Sequence, residues 1–189
     1  DYYAFVMDWT EFKDLQRSYF YASVIDLEIP NDHMIFAALY KVAAKFDIKY
    51  IIAGFNNATE SILPDKWRYT GKLDIVNINN IHRKFGKIPL KHMPKMGIFK
   101  FTYYMTIKGI KQYSPLHYIG YDKPKMKALL VKDLNWKDYG GKHHESVFTR
   151  FYQGYILPKK FNVDKRKAHL SSMICSGLIT RNEALAELD

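Results

Sequence analysis

Between Tyr139 and Leu188 the chain reads YGGKHHESVFTRFYQGYILPKKFNVDKRKAHLSSMICSGLITRNEALAEL. Two adjacent glycines, three histidines and many cationic side chains stand here among aromatic rings. Glycines ahead of a helix leave backbone N–H groups facing outward at its positive end, and Lys142, His143 and His144 would add donors suited to a phosphate. The same residues also suit a glycine turn followed by a solvated first helical turn, and a Gly-Gly pair does not choose between the two. Further along, Lys142, Ser146, Arg150 and Gln153 fall near one helical face, with Phe148, Phe151, Tyr152 and Tyr155 as the packing surface. The guanidinium of Arg150 suits a phosphate, a ring face or an ion pair with Glu145. Glu145 itself fits general acid or base work, or simple stabilisation of a helix start.

His143, His144 and His169 raise the question of a metal. Neighbouring histidines on a helix diverge by about 100 degrees, so they do not easily share one ion, and no metal site is expected. Lys165, Arg166 and Lys167 after Asp164 read either as a solvated face or as charge for an anion. Cys175 reads as a buried structural thiol, since no neighbour in sequence would activate it. Earlier in the chain, GFNNATES (54–61) follows an isoleucine-rich run. If that run is a strand, the loop lies beyond its carboxyl end, where α/β sheets collect ligands. Asn56, Asn57, Thr59 and Ser61 suit turns and caps there, and Glu60 beside amides could bind a hydroxyl or a metal-bound nucleotide.

These residues need elements to hold them. Trp9, Phe12, Leu15, Tyr19 and Ala22 recur at helical spacing. A second helix over DHMIFAALYKVAAKF carries a stripe of Ile35, Ala38, Leu39, Val42 and Phe46 behind an Asn31 or Asp32 cap. IKYIIAG then reads as a strand buried on both faces. From Pro64 the segment to Met96 mixes basic, aromatic and turn residues without a clean period. Residues 97–113 read as a helix, with a strand as the alternative, and Lys123–Leu134 as a helix with Pro124 in its first turn. After Gly141 a helix is expected to run to about Leu157 and stop at Pro158. Asp164 should cap another ending at Gly177, and Thr180 with Glu183 has capping-box spacing for a last one.

The chain has 189 residues, 48% of them hydrophobic, enough for a real core. Its 29 Lys and Arg against 19 Asp and Glu leave a charge of +10, which favours anionic partners. The single cysteine excludes an intramolecular disulfide framework. No apolar run is long enough to span a bilayer, so no membrane partner and a cytoplasmic location are expected. The first residue is Asp1, which suggests a portion of a longer protein.

Taken together, IIAGFNNATES, IHRKFGKIPLK and the block from WKDYGGKHHESVFTR to TRNEAL resemble the C-terminal half of bacterial N-acetyl sugar amidotransferases of surface-polysaccharide (lipopolysaccharide O-antigen type) biosynthesis. The resemblance implies a PP-loop ATPase of adenine nucleotide α-hydrolase-like fold. The expected fold class is α/β, with the C-terminal part of a parallel-sheet nucleotide domain over 1–63 and a mainly α-helical region over 64–189. It implies that ATP, with Mg²⁺, adenylates the acetamido oxygen of a nucleotide-activated N-acetyl sugar, and that ammonia then displaces AMP to leave an acetamidino group. Glutaminase and cyclase-like subunits would supply the ammonia. It places Glu145, His143 and Arg150 as catalytic candidates, and Asn56, Glu60, Ser61, Lys142, Lys165 and Arg166 around the nucleotide. The SGGxDS loop and cysteine pairs of the family do not occur in this sequence, so they are expected upstream and the chain alone should be inactive. The rival reading is a basic nucleic-acid-binding module, suited by the charge and the 16% aromatic content, although the cations are spread rather than striped. A purely structural helical domain docking on a partner is a third.

Overall fold

Helix α1 (Trp9–Ala22) starts where Asp8 takes the N–H groups of Thr10 and Glu11, and it ends at Ser23 in a left-handed conformation. The computed structural model describes residues 2–67, 71–119, 122–138 and 146–188. The chain folds as two compact units, each built from two separated segments: Asp1–Ile51 with Tyr69–Tyr113, and Ile52–Arg68 with Ser114–Asp189. The boundary expected near residue 64 lies inside the first segment of the second unit.

In the first unit α1 packs on α4 (Ile75–Phe85) and touches α2 (Ile29–Lys45). Asp74 caps α4 through the N–H of Asn77 at 2.9 Å, a helix the mixed composition of this region concealed. Leu15 and Tyr19 are wholly buried, whereas Trp9, expected on the same stripe, is 63% exposed. Helix α2 begins before the expected cap: Glu28 holds the N-cap position without a side-chain bond, and Pro30 sits in the first turn, where its missing N–H is harmless. Its buried face is also not the expected one. Met34, Ala37, Tyr40 and Ala43 face the core, while Ile35, Leu39 and Phe46 are exposed. Two alanines let neighbouring backbone come close, and Tyr40 fills the space between them, stacked on Tyr104 at 5.9 Å and edge-on to Phe101 at 5.3 Å. Ile51, Met96 and Ile110 complete this core.

Residues 98–106 form α5 (Ile98–Thr106), and β2 (Lys111–Tyr113) follows, so the 97–113 stretch holds both a helix and a strand. β2 pairs in parallel with β1 (Tyr50–Ile52) as a two-stranded sheet. The expectation that this strand is buried on both faces is corrected: only Ile51 is buried, with Tyr50 and Ile52 exposed. Among the described residues β2 is its one neighbouring strand, and the Tyr50 ring lies 5.7 Å from the Tyr113 ring.

The second unit contains α3 (Asn57–Glu60), a 3₁₀ turn (Pro115–His117), α6 (Lys123–Leu134), α7 (Val147–Phe151), a π-helical turn (Tyr152–Ile156), α8 (Leu157–Phe161), α9 (Lys165–Cys175) and α10 (Arg181–Leu188). The run 147–161 is helical throughout, so Pro158 does not stop it. Pro158 sits in the first turn of α8, directly after the wide π turn, where its missing N–H is tolerated. Asn162, in a left-handed conformation, ends the run instead. Asp164 caps α9 as expected, and Thr180 and Glu183 form the reciprocal capping box of α10, with Thr180 N–H donating to Glu183 at 2.7 Å. Among the described residues no helix is long and apolar enough to cross a membrane.

Candidate functional site

The GFNNATES segment folds locally around Asn56. Its side-chain oxygen accepts the N–H of Thr59 at 2.9 Å and the Thr59 hydroxyl at 3.0 Å, so Asn56, and not Thr59 or Ser61, is the cap of α3. Both residues are buried, which makes Asn56 a shaping residue whose side-chain oxygen is already engaged.

Helix α9 packs directly on α3. His169 Nδ1 donates to the Thr59 carbonyl at 2.8 Å, which sets the ring orientation and puts a hydrogen on Nδ1. One turn later, the fully buried Ser172 hydroxyl accepts the N–H of Ile62 at 3.0 Å and donates back to Ala168. Residues 62–67 thus run along α9. Lys66 donates to the Phe161 carbonyl at 2.8 Å, and Trp67, 5% exposed, lies 6.4 Å from the Tyr152 ring and carries the Lys165 ammonium 5.3 Å above its own.

This assembly joins two segments that are over a hundred residues apart. It collects a carboxylate (Glu60), a hydroxyl (Ser61), an imidazole (His169) and a cation (Lys165). Glu60 and Ser61 are exposed, Lys165 and His169 half-buried. Such a set can orient a polar, anionic ligand by hydrogen bonds and charge. Arg166 stands on the same helix, but its donors are already engaged. Its guanidinium grips Asp164 at 2.8 and 3.1 Å and reaches the Glu187 and Leu188 carbonyls at 3.3 Å. The hydrogen bond from Arg166 holds the Asp164 carboxyl below the usual carboxylate range, against a smaller opposing effect of burial. A ligand would have to compete with that pair.

Arg150 lies on α7 with its side chain exposed, and its guanidinium makes no hydrogen bond or ion pair with the described residues. Of the face expected from Lys142, Ser146, Arg150 and Gln153, the described members do not share one regular helix stripe, because Ser146 is the N-cap of α7, accepting Thr149 N–H at 3.2 Å, and Gln153 lies within the π turn. Phe151 and Tyr155 stack on each other at 5.5 Å and remain exposed, leaving the buried packing to Tyr152. Lys142, His143, His144 and Glu145, with the Gly140–Gly141 pair, lie outside the described residues. Cys175 is exposed, not buried, because it falls on the outer side of the last turn of α9. The residues that reasoning from sequence missed are Trp67 and Ser172. Nothing in their local spacing marks them, since each acts through a partner remote in sequence.

The first unit holds a different cluster. Asp8, Glu11 and His92 bring ligand-type atoms within 4.8 Å of one another. The carboxylates are otherwise employed: Asp8 caps α1, and Glu11 accepts the backbone N–H groups of Lys91, His92 and Met93 at 2.8 to 3.0 Å. His92 Nδ1 donates to Glu11 at 3.0 Å. The arrangement is a clamp of a loop onto α1.

Residues 145–189 match the model of a family described as LPS biosynthesis protein WbpG-like, C-terminal domain. This matched portion contains α7 to α10, including the α9 face that packs on α3. The end of the chain is therefore similar to the C-terminal domain of proteins of lipopolysaccharide biosynthesis. No curated protein and no solved structure matches the chain.

Proposed function

We propose that the chain serves lipopolysaccharide biosynthesis as the C-terminal portion of an ATP-dependent amidotransferase that converts a sugar acetamido group to an acetamidino group. One observation carries the reading: the WbpG-like segment and the GFNNATES segment, which motif reasoning picked out separately, pack together through α9 and α3. In the proposed reaction, ATP with Mg²⁺ activates the acetamido oxygen of a nucleotide-linked sugar, pyrophosphate leaves, and ammonia displaces AMP. Glutaminase and cyclase-like subunits would deliver the ammonia.

The roles available to this chain are electrostatic and positional. Lys165, steadied over Trp67, brings positive charge where α9 meets α3. His169 is held by Thr59, and Glu60 and Ser61 extend from the same short helix and its end. Arg150 and the glycine-led block with Lys142, His143 and Glu145 would add donors for phosphate oxygens, whose charge grows in the transition state.

The test is to incubate the full-length protein with a nucleotide-activated acetamido sugar, ATP, Mg²⁺ and ammonium, and to follow AMP, pyrophosphate and the amidine by mass spectrometry. Production of all three is expected. Lys165→Ala, Arg150→Ala and Glu145→Ala should each lower the rate by about tenfold or more, the range for loss of one charge-stabilising contact in a transition state, with the fold intact by circular dichroism. ATP left intact, with salt-dependent RNA binding in its place, would replace this reading with the nucleic-acid one.

A further inference from the structure

In the first unit a cavity of about 300 Å³ opens between α2, the α4–α5 loop and α5, and four of its lining residues are lysines: Lys41, Lys91, Lys95 and Lys100. They come from three places in the chain. Lys41 stands on α2 and Lys100 on α5, and Lys91 and Lys95 flank Met93 in the loop. The lining includes no carboxylate and no Phe, Tyr or Trp. Among the described residues none of the four forms an ion pair. Four like charges around one small cavity repel one another, and that repulsion is relieved by a counter-charge inside it.

The loop that carries two of these lysines is held firmly. Glu11 takes three consecutive N–H groups, from Lys91 to Met93. His33, fully buried, accepts the N–H of Met96 on Nε2 at 3.2 Å and donates from Nδ1 to the Lys72 carbonyl at 2.8 Å. Lys95 donates to the Leu90 carbonyl at 3.1 Å. The Glu11 charge is thus spent on backbone donors, and the cavity wall is pre-formed. Burial, with the nearby Lys95 charge as a smaller contribution, lowers the pKa of His33 and favours its neutral form.

We propose that this lysine-lined cavity binds a compact polyanion of the diphosphate class. Four lysines lining one cavity from three elements fit more than one phosphate group, and a volume at the lower end of small-molecule sites admits a diphosphate more readily than a whole nucleotide. A nucleic-acid strand would call for an open groove with stacking rings, which this lining lacks. The site belongs to the first unit and stands independently of the amidotransferase reading.

Titration calorimetry of the whole chain with inorganic pyrophosphate at low ionic strength tests it. Saturable binding is expected, weaker for orthophosphate. The double variant Lys41→Gln and Lys91→Gln removes two exposed ammoniums that make no hydrogen bond or ion pair among the described residues, so the fold should persist. It should weaken binding by at least about tenfold, the scale of losing charged hydrogen bonds. Lys159→Gln with Lys160→Gln removes the same charge from the second unit and should leave the affinity unchanged. No saturable binding, equal weakening by both pairs, orthophosphate bound as tightly as pyrophosphate, or preferential binding of an RNA oligomer would each overturn the proposal. None of these results bears on whether the full-length protein makes an amidine.

Discussion

Glu11 is an acidic residue in the first turn of a helix, a position that the helix dipole already favours. Tertiary structure gives it further partners: its side chain is 7% exposed and accepts the N–H groups of three successive loop residues and the His92 ring. Burial alone would raise its pKa, but these donors outweigh burial and hold it below the ordinary 4.5. Asp14 behaves alike, with burial opposed by the Lys87 N–H and the His82 ring. Because both carboxyls are depressed in the folded state, the stability they contribute is present at neutral pH. It is lost as pH falls below the ordinary carboxylate values and through the lowered ones. Glu11→Gln should destabilise the first unit by about 1–3 kcal/mol at pH 7, since an amide cannot accept from all these donors. Urea unfolding at pH 7 and pH 3 checks this: the gap between wild type and variant should narrow in acid, and a gap independent of pH would contradict the linkage. The partnership of Glu11 was not legible in the sequence, where its donors lie eighty residues away.

At the scale of elements, several helix starts were legible because a cap is local chemistry. Asp164, Thr180 with Glu183, and the limits of α1 and α6 follow from residues within one turn of the end. The face a helix buries is not local. Helix α2 is apolar on several sides, and only the arrival of Tyr104 and Phe101 selects Tyr40 and its alanines over Ile35 and Leu39. Gly86, which ends α4, makes a similar point. Its φ of −77° suits any residue, yet a Cβ there would collide with the His82 ring, which donates to Asp14 at 2.9 Å, and would come within 2.6 Å of the His82 carbonyl oxygen. Gly86→Ala should therefore push His82 off Asp14 and destabilise the α1–α4 contact by roughly 1–3 kcal/mol, the usual range for overpacking. Thermal unfolding of this variant beside His82→Ala checks the cause. With the ring removed the clash with the His82 carbonyl remains, so Gly86→Ala should cost less on His82→Ala than on wild type, whereas full additivity would contradict the account.

For the whole molecule, the second unit is assembled from segments that the first unit interrupts. Trp67 is buried against Tyr152, and Ile62 is tied to Ser172, so residues 52–68 cover α8 and α9. A piece spanning 114–189 alone should lose helical circular dichroism and cooperative melting relative to the whole chain, because α9 would expose Leu170 and Ser172. Retention of both would show residues 52–68 to be dispensable. By itself the sequence determined where α1, α6, α9 and α10 begin, the excess of positive charge and the specific C-terminal block, since caps, composition and motif are properties of neighbouring residues. Tertiary structure decided which side of α2 is the core, that α9 meets the GFNNATES segment, and that four lysines from three elements share one cavity. Those outcomes depend on contacts between residues far apart in the chain, which local periodicity does not encode.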